Sequence, residues 1–571
     1  MAFQISPGVN VSEVDLTTVV PSVLTTAGAF AGGFQWGPAN IVKTIDSEIT
    51  LAKVFGKPDS NTYTSFFTAA SFLAYGNNLK IVRAVGDSGY NAIANTTATS
   101  IQILNEDIYE ESYLHNRLNA NTTGAFAAKY AGALGNSITV SVIDAGATFD
   151  TWTVNGVGVS SYFTGAPGTS VQAAAAGAAN DEIHIVVMDS QGLFTGTKNT
   201  VLEVFPYLSK GSDSTDSLGN SNFYKDVLFK QSKYVYAMDP VSYSTTSTTW
   251  GNALSNTNYV TVATPQTITL TKGTDSQPAA SNLQTGYGLF RNSEALDISL
   301  VISGNAAVAV QQYIIDNVAE YRKDCVAFIS PPSATVVNNA GDEAADIVAW
   351  NATLARSSSY TVADSGWKYM FDKYNNTYRW VPLNGDIAGL CVNTDNVRDP
   401  WFSPAGLNRG NLKNVVKLAY NPTKTDRDTL YAKGVNPVVA MAGTGVVLYG
   451  DKTLQSKPSA FDRINVRRLF IVLEKAIASA AKYSMFEFND EFTRAQFVAL
   501  VTPFLRDVQG RRGIYDFRVV CDSTNNTGEV IDTNRFVGDI YIKPARSINF
   551  IQLNFVAVRT GVDFTEVVGK F

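Results

Sequence analysis

Side chains that could catalyse a reaction or hold a metal ion are scarce in this chain. Its 571 residues include two histidines, His115 and His184. His115 lies among polar residues and His184 lies in an alternating apolar run, so we expect the first on the surface and the second facing a sheet. These positions argue strongly against a His-based zinc site or a Ser-His-Asp triad.

Carboxylates and glycines offer two further possibilities. Asp386, Asp395 and Asp399 are close in sequence and could in principle bind a metal ion or carry a proton, but Arg398 stands beside them and favours ion pairs. In residues 443–448 a leucine stands where the third glycine of a dinucleotide-binding loop belongs, and neither Gly-Lys pair lies in a phosphate-binding motif. We therefore predict no catalytic residue, no cofactor and no bound metal.

The cysteines and the first residues bear on the compartment. Cys325, Cys391 and Cys521 are far apart and form no CxxC motif, so we expect buried reduced thiols in a chain that folds in a cytosol. The start of the sequence lacks the basic and apolar regions of a signal peptide. Residues 16–42 carry no charge but contain two prolines and several glycines, which favours a buried strand between loops over a membrane-spanning helix.

Length and composition predict a multidomain assembly subunit. A single hydrophobic core stops growing at about 250–300 residues, so we expect three or four domains. Charged residues make up 16% of the chain, below the usual fraction of about 25%, which suits a subunit buried among its own copies.

The charge is unevenly distributed along the sequence. Residues 1–380 carry 20 basic and 31 acidic side chains, whereas residues 381–571 carry 24 and 19. The basic second part could face nucleic acid, an acidic protein surface or solvent. Its basic residues are scattered among acidic ones instead of forming a basic run, which argues against nucleic-acid binding.

Two stretches have the pattern of parallel α/β structure, a strand followed by an amphipathic helix and a second strand. Units of this length imply right-handed parallel crossovers. The first has strands at 29–34 and 79–85 around a helix at 63–73, and the second has strands at 298–303 and 325–330 around a helix at 306–321.

The region between these units, residues 87–292, is poor in charge and rich in Gly, Ser, Thr, Asn and Ala. Its aromatic and β-branched content favours one or two β-rich insertion domains over a disordered linker. The predicted strands are the alternating runs at 138–143, 183–188, 201–205, 259–262 and 267–271.

The last third of the sequence predicts a hairpin, two helices and at least three strands. Basic residues on the first helix favour either a solvated face or a docking face for an acidic partner. These elements are the hairpin at 367–381, the helices at 465–483 and 491–508, and the strands at 514–521, 536–543 and 548–558.

Residues 381–409 (VPLNGDIAGLCVNTDNVRDPWFSPAGLNR) combine a strand end, a small-residue helix start, a charged turn at 395–399 and an aromatic plug, Trp401. Together with blocks at 430–437, 450–454 and 464–469, this segment resembles the contractile tail sheath proteins of tailed bacteriophages. The resemblance covers about the last third of the chain. Its signature residues here are Gly389, Asp395, Trp401, Gly406, Asn436, Pro437, Arg467 and Arg468.

The resemblance implies a non-enzymatic structural subunit of the virion, assembled in the host cytoplasm. It would polymerise as a helical sleeve around the tail tube and contract to drive the tube through the host envelope for genome delivery. Implied partners are further copies of itself, the tail tube protein, the baseplate and tail terminator or neck proteins, without nucleic acid or stable membrane insertion.

The resemblance also implies roles for particular residues. Terminal arms would add strands to the sheets of neighbouring subunits through Ile5, Val9, Val11, Val14, Ile551, Leu553, Phe555 and Val558. The basic side of the first C-terminal helix would face the tube through Arg463, Arg467, Lys475 and Lys482.

The expected fold class is multidomain α/β and α+β: a mixed-sheet core, a β-rich insertion and a C-terminal α+β domain completed by terminal arms. The expected divisions are an N-terminal arm at 1–20, a discontinuous middle domain at 21–86 and 293–365, an outward insertion at 87–292, and a C-terminal domain at 366–571.

Two alternatives remain from the sequence. The chain could belong to the sheath of a contractile bacteriocin or a type VI-like secretion machine, which share the same mechanics. Less favoured is an enzyme on the α/β core with a ligand at the strand ends near Gly304 and Asn305.

Overall fold

The structure is a computed structural model that describes residues 23–549, except 96, 98, 117, 119–122 and 242–248, together with residues 551 and 552. Its strands in chain order are β1 Gly28–Gly32, β2 Val42–Ile45, β3 Leu79–Arg83, β4 Phe126–Ala128, β5 Ile138–Asp144, β6 Thr153–Val154, β7 Val157–Gly158, β8 Glu182–Asp189, β9 Thr200–Ser209, β10 Val235–Ala237, β11 Gln266–Thr269, β12 Leu300–Ile302, β13 Val326–Ile329, β14 Thr361–Asp364, β15 Trp367–Asp372, β16 Thr377–Pro382, β17 Lys417–Leu418, β18 Val435–Asn436, β19 Val438–Met441, β20 Gly445–Leu448, β21 Ile514–Val520 and β22 Asp539–Pro544.

The α-helices alternate with these strands, and two of them continue into single π-helical segments at Glu110–Leu114 and Ile315–Ala319. In chain order they are α1 Glu48–Phe55, α2 Tyr63–Leu73, α3 Glu106–Tyr109, α4 Val171–Ala175, α5 Tyr224–Gln231, α6 Ala280–Gly288, α7 Val308–Ile314, α8 Glu320–Arg322, α9 Glu343–Leu354, α10 Asn384–Val397, α11 Lys424–Ala432, α12 Ile464–Ala481, α13 Glu491–Gly510 and α14 Gly528–Asp532.

The largest sheet has seven strands in the order β18-β14-β13-β12-β1-β3-β2. All neighbours are parallel except β2, which runs antiparallel to β3 at the edge. Every residue of β1, β12, β13 and β14 is buried, as expected for parallel strands covered on both faces. The parallel strand pairing predicted for both units is confirmed, and residues 16–42 contribute the buried strand β1.

Helices cover both faces of this sheet. An added Cβ at Gly28 would lie 2.7 Å from the Phe72 ring of α2, whereas an added Cβ at Gly286 of α6 would lie 3.1 Å from Ala31. Residues 28 and 31 of one strand point to opposite faces, so α2 and α6 lie on opposite sides. Helix α10 packs beside α2 and over β12, β13 and β14.

The region predicted to be a β-rich insertion contains a four-stranded antiparallel sheet in the order β11-β5-β8-β9. Four of the five predicted strands are confirmed. The strand predicted at 259–262 is wrong: the amides of Val260 and Val262 donate to the Thr249 hydroxyl at 2.8 Å and the Asp144 carboxylate at 3.0 Å. Side-chain acceptors take the place of a neighbouring strand there.

The C-terminal part forms a separate apolar cluster. Helices α12 and α13 pack with the antiparallel pair β21–β22 around Leu473, Phe497 and Leu505, and Trp401 joins the same cluster. The predicted fold class is confirmed, apart from the terminal arms, most of which lie outside the described residues. The predicted domain divisions stay a prediction; the large sheet includes β18, which lies beyond residue 366.

Candidate assembly interface

Helix α10, which carries much of the signature, approaches α2 unusually closely. An added Cβ at Gly385 would lie 2.4 Å from the Thr68 carbonyl oxygen, and one at Gly389 would lie 2.3 Å from the Tyr75 ring. Real Cβ atoms do not approach other atoms so closely, so glycine is required for this packing. The helix also extends to Val397, so the predicted charged turn at 395–399 is wrong at its first residues, which are helical.

A buried charge pair locks the start of α10 to the hairpin β15–β16. The Lys368 ammonium lies 2.8 Å from Asp386, and both side chains are 1% exposed. The Tyr75 hydroxyl lies 3.4 Å from the same carboxylate and accepts the Lys413 amide at 2.7 Å. Burial raises the pKa of Asp386, although Lys368 opposes the shift.

The end of α10 is tied to α12 by a second buried pair. Arg468 donates to Asp395 at 2.6 Å, and the two side chains are 4% and 5% exposed. A second guanidinium nitrogen of Arg468 lies 3.4 Å from the Pro400 carbonyl. Asp395 raises the pKa of Arg468 against the effect of burial, so the guanidinium stays charged inside the subunit.

Trp401 closes this junction from the side of α13. Its indole nitrogen donates to the Arg511 carbonyl at 3.1 Å, and the Arg511 guanidinium lies 5.1 Å from the ring centroid. Arg511 also forms an ion pair with Asp399. An added Cβ at Gly513 would lie 3.2 Å from the indole, so the strand β21 begins directly against the ring.

Asn436 joins two further blocks of the signature. Its amide nitrogen donates to the carbonyls of Ala363 at 3.0 Å and Lys452 at 2.8 Å, and its oxygen accepts the Lys452 amide at 2.7 Å. The Pro437 carbonyl accepts the Tyr449 amide at 2.8 Å. Gly406 has a φ of +92°, which favours glycine at that turn.

Four side chains from three separate segments of the chain converge on Asp451. It accepts hydrogen bonds from Ser403 at 3.0 Å, Ser547 at 2.7 Å and Asn549 at 2.9 Å, and it lies 3.3 Å from an Arg463 nitrogen. The carboxylate is almost fully buried. We call this group the Asp451 cluster; it holds the chain in place directly before residues 553–571.

The four basic residues predicted to face a partner do not form one exposed face. Arg467 is 5% exposed, and its guanidinium lies 4.1 Å from the Tyr360 ring centroid and 3.9 Å from that of Phe461. Lys475 forms an ion pair with Asp297 at 2.9 Å. Arg463 belongs to the Asp451 cluster, whereas Lys482 is exposed.

Helical spacing alone does not reveal this arrangement, because the aromatic and acidic partners come from distant segments. The prediction of a shared basic face is therefore wrong for Arg463, Arg467 and Lys475. A contact with a tube stays a prediction.

Comparisons with known proteins decide the family. Residues 288–454 match the model of the phage tail sheath protein central domain, and residues 456–557 match that of the phage tail sheath C-terminal domain. The tail sheath protein of Vibrio phage KVP40 is 35% identical, over 99% of this chain and 100% of its own length. That of Enterobacteria phage T4 is 33% identical, over 99% of each chain.

The chain belongs to the tail sheath protein family. The crystal structure of a sheath tail protein from Listeria innocua has the same fold, with a TM-score of 0.53 over 93% of this chain and 97% of that one, at 12% identity. The family predicted from the signature is thus confirmed.

Most strand-exchange residues predicted for this tail sheath protein, among them Ile5, Val9, Val11 and Val14, lie outside the described residues, as do Leu553, Phe555 and Val558. Ile551 is described and is 78% exposed. The strand predicted at 548–558 is not formed at 548, 549, 551 or 552.

The histidines and cysteines, which could in other settings catalyse a reaction or bind a metal ion, have structural surroundings here. His115 is exposed, and His184 is buried in β8, where it stacks on Phe163 at 4.3 Å; both placements were predicted. Burial raises the pKa of Cys325 and Cys391 to about 12, and all three cysteines are buried free thiols. Among the described residues, no group of three His, Cys, Asp or Glu could hold a metal ion. No described helix is long and apolar enough to cross a membrane.

Sequence reasoning missed the Asp451 cluster and Lys368. Asp451 directly follows Gly450 of the signature, which is the only local signal. Its partners come from residues 403, 463, 547 and 549, so their convergence depends on tertiary structure.

Proposed function

We propose that this chain is the structural subunit of a contractile phage tail sheath, which polymerises as a helical sleeve around the tail tube and contracts to drive the tube through the host envelope. The observation that carries the proposal is the end-to-end match to proteins named tail sheath proteins, at 33–35% identity over 99% of this chain. Because these relatives are phage proteins, a phage tail is favoured over a secretion machine.

Both described ends of the chain lie in the C-terminal part, which supports assembly through terminal arms. Val23 packs against the cluster of Ala476 and Ala480 on α12, as does Phe504 of α13. At the other end, Ser547 and Asn549 are fixed in the Asp451 cluster. The segments 1–22 and 553–571 therefore start from anchored points.

The pair β21–β22 is the proposed acceptor for neighbouring arms. The two strands pair only with each other among the described residues, so each keeps an unpaired edge. A two-stranded sheet is marginally stable alone, and an added strand supplies directional backbone hydrogen bonds. Residues of the arms proposed to add strands are Ile5, Val9, Val11, Val14, Ile551, Leu553, Phe555 and Val558.

Strand exchange through an arm allows subunits to rotate and slide without dissociating. Contraction then needs no nucleotide if the extended sleeve is a metastable state and the shorter sleeve buries more surface between subunits. A non-enzymatic role follows from this mechanism. The proposed partners are the tail tube, the baseplate and terminator or neck proteins, in the virion, after assembly in the host cytoplasm.

The proposed domain arrangement places the insertion, residues 87–292, on the outside of the sleeve. Its surface is poor in charge, and its antiparallel sheet has its own apolar core around Val140, Ile185 and Phe205. A density map of the assembled sheath that places this region against the tube would contradict the proposal.

Electron microscopy of the purified chain tests self-assembly, and changes in the N-terminal arm test its basis. Deletion of residues 1–15 is expected to reduce the formation of sleeves without unfolding the subunit. Val9→Pro with Val11→Pro should do the same, since proline removes the amide donors of an added strand. Val9→Thr with Val11→Thr is the matched control, because threonine keeps β-branching.

If the chain that lacks residues 1–15 forms normal sleeves, the N-terminal arm is not the assembly device. Wild-type chain that stays monomeric across salt and protein concentrations would count against the sheath function itself.

A further inference from the structure

The loop between α12 and α13 exposes an unusual group of aromatic side chains. Phe486 is 100% exposed, Phe488 84%, Tyr483 79% and Phe492 74%. Phe486 also has a φ of +71°, a conformation that is an outlier for a bulky residue. We call residues 483–492 the aromatic loop.

The base of the aromatic loop is fixed, so the rings are held outward. Asn489 donates to the Asn526 side chain at 3.1 Å and to the Arg535 carbonyl at 2.8 Å. Asp490 caps α13 by accepting the Thr493 amide at 2.8 Å. Contiguous exposed apolar patches of this kind mark interaction sites in soluble proteins.

The aromatic loop is acidic. Its charged residues are Glu487, Asp490 and Glu491, and it contains no lysine or arginine. Neither Glu487 nor Glu491 forms an ion pair with another described residue. A fitting partner therefore offers cations and apolar area, and arginine supplies both because its guanidinium stacks on aromatic rings.

The opposite end of α13 has this chemistry. Arg506 and Arg512 are exposed and form no ion pair with another described residue, and Tyr515 beside them is 67% exposed. Arg546 is also exposed and follows Ala545, whose amide donates to the Gly513 carbonyl at 3.1 Å. We call Arg506, Arg512, Tyr515 and Arg546 the basic end.

The two surfaces cannot meet within one subunit. Helix α13 has 20 residues, so its ends are about 30 Å apart at 1.5 Å per residue. We propose that the aromatic loop of one subunit docks on the basic end of a second copy. Such a head-to-tail contact leaves one free loop and one free basic end at every stage, and it propagates as an open helical assembly.

This inference rests on the proposed sheath function and adds a contact that needs no terminal arm. Four variants of the full chain test it by sedimentation and negative-stain microscopy. The loop variant carries Phe486→Ser and Phe488→Ser, and the basic-end variant carries Arg506→Glu and Arg512→Glu. The swap variant combines the basic-end changes with Glu487→Arg and Glu491→Arg, and the control carries Val171→Ser and Leu218→Ser, which are 89% and 85% exposed in the wild type.

The loop and basic-end variants are expected to raise the protein concentration needed for assembly at least about tenfold, as loss of anchor residues does at protein interfaces. Their thermal unfolding as free subunits should match the wild type, since the altered side chains are exposed. At a concentration at which neither variant assembles alone, an equimolar mixture of the two should give dimers, because only one competent loop and one competent basic end are then present in each pair. The swap variant and the control should assemble.

The remaining outcomes distinguish the docking proposal from the sheath function. If the loop variant assembles like the control, the docking proposal is wrong and the sheath function stands. If the loop and basic-end variants fail but the swap variant also fails and the mixture stays monomeric, the basic end is not the partner of the loop. A wild-type chain that never assembles overturns the sheath function, and with it the contact that depends on it.

Discussion

At the scale of single residues, much of the signature lies inside the subunit. Arg467 is enclosed by the rings of Tyr360 and Phe461, and Arg468 is paired with Asp395. Guanidinium groups suit such sites because they combine planar stacking with directional hydrogen bonds. These arginines therefore fix α12 to the rest of the fold instead of offering charge to a partner.

The pair of Arg468 and Asp395 gives a stability prediction. Asp395→Asn leaves the Arg468 charge buried without its counterion, so the free energy of unfolding should fall by about 3–5 kcal/mol. Asp316→Asn is the control, because its pair with Arg356 is exposed and surface pairs are worth about 0–1 kcal/mol. Chemical denaturation of the free subunit measures both; equal losses would show that burial of the pair does not matter.

Asp364 gives a prediction for pH. It lies at the end of β14, where Ser330 donates to it at 2.7 Å and the Gly366 amide donates at 2.9 Å. Burial raises the pKa of this carboxyl to about 8, above its unfolded value of about 3.9. The stabilising contribution of its protonated form is therefore complete below about pH 4 and is lost as pH rises to about 8.

The change Asp364→Asn removes this titration. The unfolding free energy of the wild type should fall relative to the variant by up to about 1.4 kcal/mol per pH unit between about pH 5 and 7. Denaturation of free subunits across this range gives the difference between the two curves. A difference that does not change with pH would show that Asp364 keeps an ordinary pKa.

At the scale of elements, the spacing of apolar residues predicted the helices and strands that have a regular apolar face. Helix α2 and strands β5 and β8 have regular apolar spacing, and the structure has them where expected. The helical end of α10 was not predicted, because the ion-pair partner of its polar Asp395 is Arg468, 73 residues away. The surroundings of Val262 and Arg467 were missed for the same reason, because their partners Asp144 and Tyr360 are 118 and 107 residues away.

The contact of α10 with α2 gives a prediction at this scale. Gly385→Ala should lower the free energy of unfolding by about 1–3 kcal/mol, because its Cβ would press on the Thr68 carbonyl and force the helices apart. Gly510→Ala, at the end of α13, is the matched control: nothing lies within 4 Å of an added Cβ there. Alanine favours a helix by up to about 1 kcal/mol over glycine. Unfolding midpoints that shift alike for both would rule out the close contact.

At the scale of the whole molecule, the surfaces that we propose for assembly concentrate in the C-terminal part. The anchored points of both terminal segments, the unpaired edges of β21–β22, the aromatic loop and the basic end all belong to it. The large sheet and the insertion each have an apolar cluster of their own, and residues 1–380 carry the acidic excess of the chain. We infer that the C-terminal part holds the sleeve together, while the other regions can shift during contraction.

Contact with the tube is tested best at Lys482, whose side chain is exposed. The change Lys475→Glu would not be a clean test of tube contact, because it would place a carboxylate beside Asp297 and Asp324. These two carboxylates lie 2.9 and 3.8 Å from the lysine nitrogen. Lys482→Glu should leave unfolding of the subunit unchanged but weaken tube-guided assembly. One exposed charge pair is worth about 0–1 kcal/mol, but repetition along the tail multiplies the effect.

The loss should be largest at low salt, where surface charges are least screened. The control is Lys457→Glu, at another exposed lysine. Subunits with this change should assemble around the tube normally. Co-assembly of each variant with purified tubes at two salt concentrations, scored by electron microscopy, gives the comparison. If Lys482→Glu subunits enclose tubes at low salt as well as the control does, the tube binds elsewhere on the subunit, because a charge reversal in the contact would be repeated at every copy.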